Sequence, residues 1–226
     1  MKSATSLAAG AGHCDPAFKV RIRPYREVLD LGAGPDILRA VFGAVHRANR
    51  HSSPQDFAAI SLPAASGARG YQALGSTITL LGSEAILSAV VEDEGLSKLQ
   101  RRDMFSARLR EVDFEAGAMG TYLVRDRSPE KGSAAGSARQ ARRDARRAAH
   151  IAATRGSAAG REAPAARPAK PEGFMGGGFV TLKAGRKISF LAGKAVWTGS
   201  PVLVNSYGLS TLTGLSVLPA APEPHE

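Results

Sequence analysis

The sequence predicts an α+β fold in two successive parts, an N-terminal domain of alternating strands and helices and a β-rich C-terminal domain that carries an arginine-rich helix. Three observations point there. Between residues 17 and 116 the apolar pattern alternates between the two-residue repeat of strands and the roughly 3.6-residue repeat of helices. An alanine-arginine run free of proline and glycine spans residues 138–155, and past residue 178 short β-prone stretches are separated by glycines.

Taken in order, residues 1–16 read as a loose tail, too short and glycine-rich around Leu7 to Gly12 for a signal-peptide core. Phe18, Val20 and Ile22 alternate with Lys19, Arg21 and Arg23, the mark of a half-buried strand ending at Pro24. Pro35 then starts a helix, DILRAVFGAVHRANR, whose Ile37, Leu38, Val41, Phe42 and Val45 recur at helical spacing. His46 follows the last apolar position and reaches the edge of the buried face. The plainer alternative is a histidine that only partners the helix dipole.

Phe57 to Leu62 and Ser76 to Leu81 read as strands, Ser83 to Val91 as a helix with Ile86, Leu87, Val90 and Val91 inward, and Phe105 to Phe114 as an imperfect strand. Strand, helix, strand, strand, helix, strand is the ferredoxin-like order, expected over residues 17–116. The second domain is expected over residues 117–219, with a strand or extended linker at Tyr122 to Arg127, the helix at 138–155, a linker at 156–177 and a tail at 220–226. Its β-rich end comprises FVTLKA, KISFLAG, AVWTG and PVLVNSYGLSTL.

Charge is concentrated. The chain has 30 basic and 20 acidic residues, a formal net charge of +10. Residues 139–170 alone hold nine bases against two acids, a surplus of seven. A local positive field suits a defined nucleic-acid site better than a generally adhesive surface. On a helix Arg139, Arg143, Arg146 and Arg147 fall along one stripe, with Arg142 at its edge and Asp144 as the nearby countercharge. Like charges at this spacing repel by a few tenths of a kcal/mol per pair, so the stripe makes most sense against a polyanion, an RNA hairpin first. Arginine favours that choice because its guanidinium fork matches phosphate and guanine edges. A solvated basic helix or a disordered basic linker is the plainer alternative, and a generic basic RNA chaperone the functional one.

The single cysteine, Cys14, excludes a disulfide framework and a thiolate metal cluster and fits a reducing cytoplasm. No apolar run approaches the roughly 18 residues of a membrane span.

Five stretches carry a family likeness in order: FKVRIRP, VFGAVHRA with His46, the RR-DA-RR spacing at Arg142, Arg143, Arg146 and Arg147, FVTL at Phe179 to Leu182, and SYGLS at Ser206 to Ser210. Together they resemble the CRISPR repeat-processing endoribonucleases of the type I-F kind and their type IV relatives. The resemblance implies a protein that grips the stem-loop of a CRISPR repeat transcript, cuts at the stem base and stays bound as a subunit of an effector complex. Other complex subunits, and target DNA through the complex, are then its partners. It also implies cleavage without metal or cofactor, by 2′-hydroxyl attack that leaves a cyclic phosphate and a 5′-hydroxyl.

In that family likeness His46 resembles the general base, a task suited to imidazole, and Tyr207 the tyrosine that orients it. The arginine helix would enter the major groove of the stem, with Arg125 and Arg127 reading base pairs near the cut. The family's serine after FVTL has no direct match, since the chain reads Lys183, Ala184, Gly185, Arg186 there and Ser189 further on. Arg23 and Arg39 are candidates to neutralise the pentavalent phosphate, as in the type IV relatives, and Lys183 and Arg186 to contact phosphate. The departure at the serine keeps a second reading open, a weakly active or inactive hairpin-binding subunit.

Overall fold

The structure is a computed structural model and describes residues 10–62, 77–126, 138–139, 141–146, 149, 174–181, 187–199, 201–210 and 217–219. It is a mixed α+β protein that divides into two compact units, one of Met1–Arg125 with Pro171–Glu226 and one of Asp126–Lys170.

In the first unit the elements run β1 (Ala11–Cys14), β2 (Phe18–Pro24), α1 (Arg26–Asp30), α2 (Gly34–His51), β3 (Ala59–Ser61), β4 (Ile78–Gly82), α3 (Glu84–Val91), α4 (Glu94–Gln100) and β5 (Phe105–Glu111). The strand β6 (Met119–Asp126) runs one residue past the unit's boundary. Then come β7 (Phe174–Thr181), β8 (Lys187–Val196), β9 (Val202–Asn205) and β10 (Leu218–Pro219). One four-stranded sheet has the order β3-β4-β2-β5, each neighbouring pair antiparallel. A second has the order β10-β6-β8-β7, and β1 pairs with β9.

The alternation read from the sequence decides which face of the first sheet is dry. Val20 and Ile22 on β2, Ile60 on β3, Ile78 and Leu80 on β4 and Phe105 on β5 share one buried cluster with Ile37, Leu38, Val41, Ala44 and Val45 of α2 and Ile86, Leu87 and Val90 of α3. Each of the larger side chains, Ala44 aside, contributes roughly 1.5–3 kcal/mol by leaving water. Both helices are marked locally. Pro35 occupies the first turn of α2, Asp36 lies at its positive end, and Arg50 and His51 at its negative end. The Ser83 hydroxyl accepts from the Ile86 amide at the start of α3.

Two short helices, α1 and α4, add to what periodicity predicts, since neither is long enough to show a face. The start of α4 is fixed by Asp93, whose carboxylate accepts from the Gly95 amide and takes both arms of the Arg47 guanidinium at 2.7 Å. That guanidinium holds the Asp93 carboxyl below its ordinary range.

Several sequence expectations change. Residues 11–14, expected within a loose tail, form β1 against β9, in the register Ala11 to Asn205 through Cys14 to Val202. AGHC lacks the apolar alternation that would announce a strand. Cys14 is fully buried, its thiol donates to the Leu81 carbonyl, and burial and then Asp15 push that thiol well above its ordinary pKa. KISFLAG and the first two residues of AVWTG, read as separate strands, lie in the single strand β8, which ends at Val196. PVLVNSYGLSTL is a strand only to Asn205 and turns at Ser206.

The expected boundary between residues 116 and 117 falls inside the first unit, because Leu123, Phe190 and Leu209 enter the same buried cluster as α2 and β2. Among the described residues no helix is long and apolar enough to cross a membrane.

Asn49 joins several of these pieces. It is 1% exposed, near the end of α2, and its side-chain amide donates to the Ala58 carbonyl at 2.9 Å and accepts from the Ala58 amide at 2.8 Å. A further 3.4 Å contact reaches the Ser206 carbonyl. Asn49→Ala leaves a buried backbone amide and carbonyl without partners, so unfolding in urea is expected to show a loss of about 2–3 kcal/mol. A loss under about 0.5 kcal/mol would mean that water replaces the amide.

Candidate active site

The residues after β9 form a tight turn whose geometry follows from their chemistry. The Asn205 side-chain oxygen accepts from the backbone amides of Tyr207 at 2.8 Å and Leu209 at 3.3 Å. The Gly208 amide donates to the Asn205 carbonyl, and the Asn205 amide to the Leu209 carbonyl. Asparagine is suited to such a turn because its short amide mimics backbone. Gly208 has φ +72°, a conformation that favours glycine, and a Cβ there would lie 2.8 Å from the Ala58 carbonyl oxygen and 3.1 Å from the Ile60 amide. The turn can press this closely because it carries no side chain at Gly208. The Ile60 amide donates to the Gly208 carbonyl at 2.8 Å, which stitches the turn to β3.

That docking delivers Ser206 and Tyr207 to α2. The imidazole of His46 stacks face to face on the Tyr207 ring, with centroids 4.0 Å apart and planes 4° from parallel. His46 Nδ1 lies 3.1 Å from Ser206 Oγ, a hydrogen bond between residues 160 apart in sequence. The ring is therefore held in its plane by Tyr207 and within that plane by Ser206. In the tautomer that donates from Nδ1 to Ser206, the Nε2 lone pair is left to accept a proton. His46 is half-buried and Tyr207 is 39% exposed, so a substrate can reach the pair.

One turn before His46 on α2, Phe42 stacks on Phe190 of β8 at 5.5 Å and 7°. This contact brings β8 against the same helix. Arg47, next to His46 in sequence, is occupied by Asp93.

The sequence candidates divide accordingly. His46 and Tyr207 are brought into direct contact. Arg39 lies on α2 seven residues before His46, about 10 Å along the helix and on the same stripe, in an ion pair with Asp36 at 2.7 Å. Arg23 is the penultimate residue of β2, opposite Ser106 of β5. The Ser189 backbone pairs with Phe179, beside the Phe190 that stacks on α2, and its side chain lies outside the described residues. Arg125 is half-buried on β6. Arg139, Arg142, Arg143 and Arg146 lie in helical backbone and are exposed, in the unit of residues 126–170. Arg127, Arg147, Lys183 and Arg186 lie outside the described residues, as do residues 150–155 of the expected helix.

Sequence reasoning gave no role to Ser206, Asn205, Gly208 or Asn49. The Asn-Ser-Tyr-Gly run was the available signal for a turn, overlooked because the flanking residues are β-prone.

The family model described as CRISPR-associated protein (Cas_Csy4) matches residues 20–215, a span that contains every element of this site. No curated protein matches the chain.

The geometry makes the stack depend on Gly208. Gly208→Ala is expected to cost about 1–3 kcal/mol in urea unfolding and to move the His46 ring-proton resonances away from the positions that the Tyr207 ring current imposes. Unchanged resonances would show that the turn does not need glycine to hold the two rings together.

Proposed function

The chain belongs to the Cas_Csy4 family of CRISPR-associated proteins, a family of CRISPR repeat-processing endoribonucleases, and from that premise we propose that it cuts the repeat hairpin by a metal-independent reaction with His46 as general base. The carrying observation is the imidazole fixed between Ser206 and Tyr207. A general base must stand in one orientation with a free lone pair; these two contacts fix the orientation, and the tautomer that donates from Nδ1 to Ser206 leaves Nε2 free.

In the proposed reaction Nε2 of His46 takes the proton of the 2′-hydroxyl at the base of the stem. The 2′-oxygen attacks the adjacent phosphorus, the bond to the 5′-oxygen breaks, and the leaving oxygen takes up a proton. The products are a 2′,3′-cyclic phosphate and a 5′-hydroxyl. The imidazolium formed meanwhile sits over the Tyr207 face, where the ring quadrupole favours a cation.

Arg39 is proposed to meet the charge of the pentavalent phosphate. Arg39 would exchange Asp36 for it, and an exposed pair of that kind is worth at most about 1 kcal/mol. Arg23, the other sequence candidate, shares the sheet face turned away from α2 with Lys19 and Arg21 and so stands on the far side of the sheet from His46. Ser189, Lys183 and Arg186 are proposed to contact the ribose and phosphates from the β7–β8 side.

Hairpin recognition is assigned to Arg139, Arg142, Arg143, Arg146 and Arg147 in the groove of the stem, with Arg125 and Arg127 at the base pairs near the cut. The exposure of Arg139, Arg142, Arg143 and Arg146 on helical backbone supports that part. The strand order β3-β4-β2-β5 with α2 and α3 on one face supports the ferredoxin-like reading of the N-terminal part. After cleavage the protein is proposed to stay on the hairpin as a subunit of the effector complex.

The test is cleavage of labelled repeat RNA in EDTA, beside a copy with 2′-deoxyribose at the cut. The ribose copy alone is expected to be cut, and His46→Ala to slow cutting by about a hundredfold or more with affinity nearly unchanged. Cutting of the deoxy copy would rule out the 2′-hydroxyl mechanism. Tight binding with no cutting of either would leave a hairpin-holding subunit.

A further inference from the structure

The face of β2 and β5 turned away from the helices is built from cations. Val20, Ile22 and Phe105 point into the core, so the alternate residues Lys19, Arg21 and Arg23 of β2 and Ser106, Arg108 and Arg110 of β5 share the opposite face. The register sets like against like, with Lys19 directly opposite Arg110 and Arg21 directly opposite Arg108. Facing like charges destabilise a sheet, and here two such pairs stand side by side.

No carboxylate among the described residues forms an ion pair with Lys19, Arg21, Arg108 or Arg110. The buried Nε of Arg21 has no hydrogen-bond partner among the described residues. The Lys19 ammonium is held below its ordinary pKa by burial and by the neighbouring Arg21 and Arg110, as the crowding of cations requires. The other half of the same face does not continue the charge. Ala59 of β3 and Leu81 of β4 are covered there by Cys14, Trp197, Val202 and Val204. The basic strip is thus bounded on one side by a packed apolar layer, and it ends near the exposed Tyr25, which lines an open pocket with Arg101, Asp103 and Ser106.

We infer that this strip binds the sugar-phosphate backbone of a single-stranded segment flanking the hairpin, with Tyr25 as a stacking platform for a base at its end. The inference rests on the reading of the chain as a repeat-RNA processing protein. Alternate residues of a strand lie about 6.6 Å apart, close to the repeat of an extended sugar-phosphate chain, so successive phosphates can meet successive cations. A strand-long row of charge with an aromatic at its end is the general design of single-strand binding surfaces. Four of the five cations are arginines, whose planar fork pairs with phosphate. An acidic protein segment is the competing occupant. A row of cations at strand spacing with a stacking ring fits a regular polyanion better.

The experiment compares binding of the repeat hairpin alone and of the hairpin with single-stranded extensions on both sides, across a salt series. The proteins are the wild type, Arg108→Gln/Arg110→Gln, and the triple variant that adds Arg21→Gln. The wild type is expected to bind the extended RNA more tightly. The triple variant is expected to lose about tenfold or more of that gain and to lower the salt slope by about two, near 0.7 for each cation removed. Its affinity for the bare hairpin should be unchanged. The double variant, confined to exposed side chains, is expected to lose part of the gain and to melt no lower than the wild type, because it relieves repulsion.

A wild-type protein that binds the hairpin and gains nothing from the extensions overturns this inference alone. So does a triple variant that keeps the gain but fails to associate with an acidic subunit of the complex. A wild-type protein that ignores the hairpin yet holds the extensions through these arginines would refute the functional reading and support the strip.

Discussion

The close approach of the Asn205–Ser210 turn to α2 and β3 is the constraint on which the candidate site depends. It is a contact between backbones, possible because Gly208 has no side chain and because the Ile60 amide donates to the Gly208 carbonyl. Everything chemical follows from it. Ser206 and Tyr207 are consecutive residues of that turn, so one docking event supplies both the hydrogen bond and the ring that fix His46. Asn49, one helical turn beyond His46, secures the same junction from the helix side by satisfying Ala58 and touching the Ser206 carbonyl. The reacting group and its supports are therefore positioned by the ends of rigid elements.

The same economy appears around α2. Its apolar stripe packs on the first sheet, Phe42 receives Phe190, His46 receives the turn, and Arg47 ties the helix to the start of α4 through Asp93. One helix thus connects the sheet, the later strands and the candidate base. That is why residues on both sides of position 116 belong to one compact unit.

Much of the scaffold was legible in the sequence because burial leaves a periodic trace. The repeat of Ile37, Leu38, Val41 and Val45 announced α2, and the alternation of Val20 and Ile22 announced β2. The pairing of His46 with Tyr207 was reached through a family resemblance, since nothing local in either segment specifies a partner 161 residues away. What stayed hidden has physical reasons. The strand β1 is held by pairing with β9 and by the buried Cys14, so AGHC shows no alternation. Asn49 looks like any polar residue at a helix end until its burial is seen. The turn at Ser206 was masked by the β-branched and apolar residues around it. The facing like charges of β2 and β5 exist only in the register of the folded sheet.

The central claim is that the His46 imidazole, held between Ser206 and Tyr207, is where the phosphodiester is delivered. The most direct measurement is a crystal or cryo-electron structure of the protein bound to an uncleavable repeat hairpin with 2′-deoxyribose at the cut site. The account predicts His46 Nε2 within a few ångströms of the deoxy carbon and its phosphate, with the Tyr207 stack intact. A hairpin bound with its scissile phosphate away from His46, or an imidazole turned off Tyr207 with no phosphate beside it, would contradict the account.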